Sequence, residues 1–358
     1  MQLKRLEVSD FRCIAQAVLE PAADVNVIYG ENGSGKTSLL EAVHVLSLGR
    51  SFRTRNPDET VRDGQQGYLL RAQVREGEGR VASLALRRLD GKVSIRYDGS
   101  VVRTSAELSE KLRLSLITPD THVEMRSMPK ARRRWVDFTL FHVKPGFLDA
   151  WKRFMRSLHH RNSVLRTGGE SESLAAWDVE VATLGMELHT ARTEVIHQLW
   201  EVSKPLLEAT FGNDVCLSYM QGWSDDESYL SALRRSRKAD LAIRSTTKGP
   251  HRADVVFGLK GKPIVNRLSR GEMKLWVATL ILAQAILIAN LTRNKPLMLV
   301  DDLMSDLDAN ARRVLLQEIN RSGCQLFVTA LDAASVPVSK SSVTAKFHVK
   351  HGQIRQAA

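Results

Sequence analysis

The sequence predicts an α/β protein in which a nucleotide-binding fold is interrupted by an inserted α-helical domain. Three observations lead to this fold class. A glycine-rich loop joins a β-branched run to a helical pattern within residues 25–40, an apolar run ending in two carboxylates lies at residues 297–302, and most of residues 125–207 have helical spacing. Two distant segments of sequence must therefore complete one nucleotide site.

The first segment contains a phosphate-binding loop. Residues 25–29 form a β-branched and aromatic run that is typical of a buried strand, and helical spacing begins after Gly35. The glycines allow successive N–H groups to point at an anion, while Lys36 offers a charge to the β- and γ-phosphates and the Thr37 hydroxyl suits Mg²⁺. The predicted nucleotide-binding residues are Gly30, Glu31, Asn32, Gly33, Ser34, Gly35, Lys36, Thr37 and Ser38.

The composition is that of a basic globular protein. Its 358 residues are enough for a substantial core, and 52 Lys and Arg against 40 Asp and Glu give a net charge of +12, which favours a polyanionic partner. Cys13, Cys216 and Cys324 form neither a disulfide framework nor a metal-ligand spacing. This cysteine usage is typical of a reducing cytosol.

No membrane contact is expected from the apolar segments. The first residues, Met1–Glu7, lack the apolar region of a secretory signal. The longest apolar stretch, residues 276–291, is shorter than the roughly 20 residues of a spanning helix and contains Gln284 and Asn290. We therefore predict a buried core helix here and a cytoplasmic location.

Residues 1–118 are predicted to form the N-terminal part of the nucleotide-binding domain. Alternating segments separated by Gly-containing turns between residues 68 and 103 indicate an antiparallel meander. The basic loop at 49–54 follows the P-loop helix closely enough to lie near the nucleotide, although a solvated turn explains its composition equally well. The expected elements are a strand at 2–9, two strands within 17–29, a helix at 35–48, the meander and a strand at 114–118.

Residues 119–212 are predicted to form the inserted helical domain, with helices starting near 129, 145 and 174. Between Arg126 and Arg166 there are eleven Lys and Arg residues but only two acids, Asp137 and Asp149. Each cation alone is explained by a solvated helix face, but their concentration favours a surface for the phosphate backbone of DNA. The candidate DNA-binding residues are Lys130, Arg132, Arg133, Arg134, Lys152, Arg153, Arg156 and Arg161.

Residues 213–358 are predicted to complete the nucleotide-binding domain. His251 lies in a polar turn, where it is either an ordinary turn histidine or part of a functional cluster with Arg252 and Asp254. The expected elements are strands at 215–220 and 255–259, a basic helix at 227–240, a long apolar helix from 270, a strand at 297–300, a helix ending near 320 and a strand at 325–330.

Two carboxylates and a serine are further candidate site residues. Asp301 and Asp302 follow the apolar strand, where the first acid would hold the Mg²⁺ shell and the second would polarise water. Ser269 opens the long apolar helix with Glu272 three residues later, and a capping box accounts for that pattern by itself.

Together these motifs resemble the ABC-type ATPase heads of the SMC-like branch. The resemblance rests on the P-loop (30–37), a Leu-Ser-x-Gly-Glu signature (268–272), a Walker B strand (297–302) and a D-loop (305–308). More closely, the chain resembles the RecF family. The further residues that carry this likeness are 51–54, 132–137, 161–162 and 249–252.

The resemblance implies an ATP- and Mg²⁺-binding head that closes as a homodimer on DNA, as duplex or at single-strand/duplex junctions. It implies nucleotide contacts by Arg12, Gly271 and a glutamine that is either Gln65 or Gln66, and a contact of Ser269 with the γ-phosphate held by the partner P-loop. RecO and RecR partners, recombinase loading, gap repair, replication and the SOS response are also implied. ATP binding would be the main role, with weak hydrolysis.

Three departures from the ABC pattern shape these expectations. Asp302 stands where many such enzymes have glutamate, Asp306 stands where the D-loop often has glutamate, and residues 328–330 lack a switch histidine. The missing histidine and the basic insertion disfavour a transporter ATPase subunit. A nucleotide-gated adaptor that acts mainly on protein partners is the other alternative.

Overall fold

The computed structural model describes residues 1–77, 79–168, 171–302, 307–339 and 341–357. The chain forms two compact units. The first combines Met1–His122 with Arg270–Ala358, and the second is Val123–Ser269.

The predicted strands and helices occur in the expected order, together with several elements that were not predicted. The strands are β1 (Gln2–Phe11), β2 (Ile14–Leu19), β3 (Val25–Tyr29), β4 (Gly67–Glu76), β5 (Arg80–Leu89), β6 (Lys92–Tyr97), β7 (Ser100–Val101), β8 (Leu114–Ile117), β9 (Val215–Met220), β10 (Asp254–Leu259), β11 (Lys262–Pro263), β12 (Leu297–Val300), β13 (Leu326–Ala330), β14 (Thr344–Lys350) and β15 (Gln353–Ala357). The helices are α1 (Lys36–Leu48), α2 (Ser105–Lys111), α3 (Thr121–Ser127), α4 (Pro129–Val143), α5 (Phe147–Thr167), α6 (Ser171–Phe211), α7 (Tyr229–Ile243), α8 (Arg270–Thr292) and α9 (Ala309–Ser322).

The first unit contains two six-stranded sheets. One has the order β2-β1-β4-β5-β6-β7 and is the predicted antiparallel meander, joined by the first two strands. The other has the order β15-β14-β3-β13-β12-β8, and β3, β13, β12 and β8 are parallel in it. Since parallel strands end at the same edge, the loops after β3 and β12 meet there.

The core of the first unit connects both sheets through α1. The cluster includes Leu6 and Phe11 of the meander sheet, Leu40 of α1, and Ile28 and Phe327 of the parallel strands. The P-loop is therefore held between a buried strand and a buried helix, which fixes its position in the fold.

Helix α8 is the predicted buried apolar helix. It is the one helix among the described residues that is long and apolar enough to cross a membrane. Most of it is buried, including Trp276 and Leu280 in the core of the first unit, so its apolar surface is already covered by protein. The expectation of a core helix is confirmed.

The second unit is larger than the insertion expected at 119–212. Its helices α4–α7 are accompanied by a three-stranded sheet of order β11-β10-β9. The strand β9 packs on α6, β10 packs on α4, and α7 packs on α6, so the segment after residue 212 remains with the helices as far as Ser269.

Helices α2 and α3, the short strand β11 and the hairpin β14–β15 were not predicted from the sequence. In β14, Ala345, Phe347 and Val349 are buried and alternate with exposed neighbours, and the hairpin turns at His351-Gly352. This alternation is the ordinary signal of a half-buried strand. The hairpin adds two strands beside β3 and so borders the P-loop.

Candidate nucleotide-binding site

The P-loop has the backbone of an anion-binding nest. Gly30, Gly33 and Gly35 have φ values of 149°, 75° and 114°, which favour glycine. A Cβ atom at Gly30 would lie 2.2 Å from the Val349 carbonyl oxygen, so the hairpin leaves room only for glycine there. Helix α1 begins at Lys36, and its N-terminal N–H groups face the loop.

The Lys36 side chain folds back over the loop. Its Nζ donates to the carbonyl oxygens of Gly30, at 2.8 Å, and Glu31, at 2.9 Å. Burial lowers the pKa of this ammonium, while Asp302 and Asp301 act in the opposite direction. The ammonium group of Lys36 therefore bonds to two backbone carbonyl oxygens, and phosphate oxygens can take their place as its hydrogen-bond acceptors.

The carboxylate of Asp301 meets the P-loop across the sheet edge. Its Oδ1 accepts hydrogen bonds from Thr37 Oγ1, at 3.0 Å, and Thr329 Oγ1, at 2.8 Å. The Thr329 hydroxyl also accepts from the Asp302 N–H at 2.8 Å. The strand order β3-β13-β12 explains why these side chains lie close together. Thr37 lies in the helix that follows β3, Thr329 lies near the end of β13, and Asp301 directly follows β12.

The pair of Thr37 and Asp301 fits a magnesium ion that also binds nucleotide phosphates. Mg²⁺ prefers hard oxygen ligands and commonly takes only one or two from protein. Burial raises the pKa of the Asp301 carboxyl, whereas the hydrogen bonds from Thr329 and Thr37 act to lower it. No group of three or more His, Cys, Asp or Glu side chains suited to a metal occurs in the described part of the chain.

Part of the P-loop and Asp302 line one cavity of about 220 Å³. It contains the predicted site residues Asn32, Gly33, Gly35, Lys36, Thr37, Ser38 and Asp302. Its wall also includes Cys13, Arg53 and Thr329, which are not among the predicted site residues. Arg53 belongs to the basic loop at 49–54, which the structure thereby places at the nucleotide cavity.

A buried carboxylate, Glu41 of α1, organises the cations beside this cavity. Arg12 donates to it through Nε at 2.9 Å and Nη2 at 2.7 Å, Ser51 Oγ donates at 2.5 Å, and Arg53 Nη1 donates at 3.4 Å. The Glu41 side chain is fully buried. Arg12, a predicted nucleotide contact, is thus oriented by Glu41.

Replacing Glu41 with glutamine is expected to weaken ATP binding about tenfold without unfolding the first unit. Glutamine keeps the size of the side chain but loses the charge-assisted hydrogen bonds that orient Arg12 and Ser51. Calorimetric titration with ATP measures the effect, with Glu59→Gln on an exposed neighbouring segment as the control. An unchanged ATP affinity would mean that the cluster has only a structural role.

Several predicted site residues lie outside this cavity. Gln65 and Gln66 are both exposed in the turn before β4, and neither lines the cavity, so the choice between them stays open. Ser269 is exposed and directly precedes α8, and Gly271 lies in the first turn of α8. Asp306 lies outside the described residues.

The prediction that Arg161 contacts DNA is wrong, because its side chain is completely buried. Its Nε donates to Asp178 at 2.7 Å, and its Nη1 donates to Asp240 at 2.9 Å and to Thr246 Oγ1 at 2.7 Å. A buried ion pair of this kind positions helices within the second unit and presents no charge to solvent.

The other predicted DNA-binding cations divide into two groups. Arg132 forms a two-bond ion pair with Asp254, at 2.7 and 2.8 Å, and Arg133 Nη1 donates to the Ala253 carbonyl at 2.6 Å, so both are partly buried and engaged. The exposed cations are Lys130, Arg134, Lys152, Arg153 and Arg156.

His251 is a turn histidine. Its Nε2 lies 3.0 Å from the Thr246 carbonyl oxygen, within the turn around Pro250–Arg252. Burial lowers the pKa of this imidazole to about 4, so it is neutral at pH 7. The structure therefore favours an ordinary turn histidine over a functional cluster with Arg252 and Asp254.

Comparison with known proteins agrees with this geometry. The family model for the RecF/RecN/SMC N terminal domain matches residues 2–354. The chain is 37% identical to the DNA replication and repair protein RecF of Pseudomonas aeruginosa (strain LESB58), covering 99% of this chain and 98% of the relative. It is 38% identical to the protein of the same name from Pseudomonas entomophila (strain L48), with the same coverage.

Solved structures show the same fold. A recombination mediator protein RecF with ATP, of the RecFOR pathway, aligns with a TM-score of 0.85 at 24% identity over 99% of this chain and 97% of its own. An Smc head domain from Pyrococcus furiosus aligns with a TM-score of 0.60 at 13% identity over 99% of this chain and 95% of its own. The fold is thus that of an ABC-type, SMC-like ATPase head with an insertion, and the chain belongs to the RecF family.

Proposed function

We propose that this protein is an ATP-controlled DNA-binding protein of replication and recombinational gap repair. The observation that carries the proposal is a single cavity lined by Lys36, Thr37 and Asp302, with the Asp301 carboxylate hydrogen-bonded to Thr37. The names of the relatives, DNA replication and repair protein RecF, support the choice of DNA as the partner. A cytoplasmic location follows from that partner.

The P-loop, Thr37 and the two carboxylates have distinct tasks toward ATP. The P-loop N–H groups and Lys36 would bind the phosphates, and Thr37 with Asp301 would hold Mg²⁺, which supplies charge neutralisation when bound. Asp302 would accept a hydrogen bond from the attacking water and orient it. Because its carboxylate is one C–C bond shorter than that of glutamate, we expect slow hydrolysis, so that ATP binding is the principal signal.

The DNA would meet the exposed cations of the second unit. Lys130 and Arg134 are exposed on α4, and Lys152, Arg153 and Arg156 are exposed on α5. The contacts of Arg153 with Glu187, at 3.1 Å, and of Lys152 with Asp149, at 3.8 Å, are solvent-exposed and therefore weak competitors for phosphate. Contacts between these cations and DNA phosphates would position the DNA without reading its sequence.

Two copies would close around ATP, each presenting Ser269 to the nucleotide held by the other. The exposure of Ser269 at the start of α8 supports this, since a helix N-terminus attracts phosphate. RecO and RecR would act as partners of the closed dimer. Recombinase loading and SOS induction belong to the same proposal.

The variant Ser269→Arg is expected to bind ATP as the wild type does but to remain monomeric. An arginine at this position would place a bulky side chain where the second copy must approach the γ-phosphate. Light scattering with ATP and Mg²⁺ would measure the mass, and nucleotide titration would verify that the cavity is intact. A normal ATP-dependent dimer of this variant would contradict the proposed role of Ser269.

A further inference from the structure

An aromatic pair lies on the surface of the second unit, where α5 and α6 pack side by side. The rings of His160 on α5 and Trp177 on α6 stack with their centroids 4.9 Å apart and their planes inclined by 15°. Trp177 is half-buried, whereas His160 is exposed. Because one face of the imidazole lies on the indole, it is the opposite face of His160 that meets solvent. The pair therefore presents a flat ring on a fixed support.

This ring stands at the end of a line of cations on α5. Arg153, Arg156 and His160 are spaced by three and four residues, which places them on one face of the helix. Arg153 contacts Glu187 at 3.1 Å in an exposed pair, and Arg156 is exposed and forms no ion pair among the described residues. Both arginines belong to the cations that we assign to DNA phosphates, so a strand that follows them leads to the ring of His160.

The charges around the pair favour phosphate on its α5 side. Arg156 precedes His160 by one helical turn, and side chains at this spacing are neighbours on a helix surface. On the α6 side, the exposed carboxylate of Glu180 follows Trp177 by one turn and would repel a phosphate. A nucleotide at this place would therefore direct its phosphate to Arg156 and its base to His160.

The exposed face of the ring suits an unpaired base. Within a duplex, both faces of each base are covered by the neighbouring bases, so a surface side chain meets phosphates, sugars and base edges. A base of a single strand can turn outward and stack on an aromatic or histidine ring. Such stacking tolerates any sequence, because every base has a π-face.

We propose that His160, supported by Trp177, stacks on an unpaired DNA base while Arg156 binds an adjacent phosphate. The stack would have three layers, in the order base, imidazole and indole. The inference rests on the proposed function for its ligand, DNA, and it gives that function a reason to act at a gap. An uninterrupted duplex offers α5 only its backbone, whereas the single strand of a gap also offers a base.

The test separates stacking from charge at His160. The variant His160→Ala removes the ring, and His160→Phe keeps a flat ring that carries no charge. The matched control is His197→Ala, because His197 is another exposed histidine of the second unit. It lies on α6, twenty residues and about 30 Å along the helix from Trp177. All three substitutions replace exposed side chains, so the fold should be retained.

Fluorescence anisotropy of the full-length protein with ATP and Mg²⁺ would compare a gapped duplex with an uninterrupted duplex of the same length. His160→Ala is expected to weaken binding to the gapped DNA about tenfold, which corresponds to the loss of one stacked base. Its binding to the uninterrupted duplex should change less than twofold. His160→Phe and His197→Ala should bind both DNAs within twofold of the wild type.

Equal losses of His160→Ala on both DNAs would identify a phosphate contact, and no loss on either would show that no base reaches the ring. A loss in His160→Phe as large as that in His160→Ala would show that charge is required. Each of these results would overturn the inference, while ATP-dependent binding of DNA by the wild type would leave the proposed function intact. If the wild type showed no ATP-dependent DNA binding, the proposed function would fail and the inference with it.

Discussion

Replacing Lys36 with alanine is expected to weaken ATP binding at least a hundredfold, about 2.7 kcal/mol. Lys36 is the one side-chain cation that donates into the P-loop carbonyls among the described residues, through Gly30 and Glu31. Without it, the phosphates lose a charge-assisted contact, which is worth about 1.5–3 kcal/mol, and the long-range attraction of a buried ammonium.

Isothermal titration with ATP and Mg²⁺ measures this change. Lys346→Ala is the control, since Lys346 is an exposed lysine on β14 in the same unit. The control should bind ATP as the wild type does. An affinity of Lys36→Ala within threefold of the wild type would show that the cavity is not the nucleotide site.

Replacing Arg161 with alanine is expected to destabilise the second unit by about 3–5 kcal/mol. The reason is that two fully buried carboxylates, Asp178 and Asp240, would lose the guanidinium that compensates them. Arg237 would still pair with Asp178 at 2.7 Å, but the described contacts give Asp240 no second cation.

Urea denaturation followed by tryptophan fluorescence measures this loss. Arg156→Ala on the same helix is the control, because its side chain is exposed and its removal should change the free energy of unfolding by less than about 0.5 kcal/mol. A loss below about 1 kcal/mol for Arg161→Ala would mean that water reaches the carboxylates, contrary to their complete burial.

The elements of the fold could be predicted where local pattern and packing agree. The run from Val25 to Tyr29, the glycines and Lys36 together specify a strand, a turn and a helix, and each appears as predicted. The parallel pairing of β13 with β3 and β12 then places Asp301 at the P-loop. The order of strands in a sheet depends on tertiary packing. The sequence could therefore assign the P-loop and the strand that ends at Asp301 to one site, but it could not predict the distances between their side chains.

The roles of single charged residues could be predicted less well. Charge density in the sequence marks a basic segment, but it does not distinguish the exposed Arg156 from the buried Arg161 five positions later on the same helix. Burial there is decided by Asp178 of α6 and Asp240 of α7, which are distant in sequence. The role of Glu41 could not be predicted from the sequence either, because its partners Arg12 and Ser51 lie outside its helix.

The proposed function depends on nucleotide control of DNA binding. Fluorescence anisotropy of a gapped DNA duplex, titrated with protein in ATP, in ADP and without nucleotide, tests that control most directly, with Lys36→Ala as the reference variant. We predict that ATP alone tightens binding at least tenfold and that Lys36→Ala shows no such gain. Equal affinity in all three conditions would contradict the proposed function and would assign the nucleotide cavity to the control of protein partners instead.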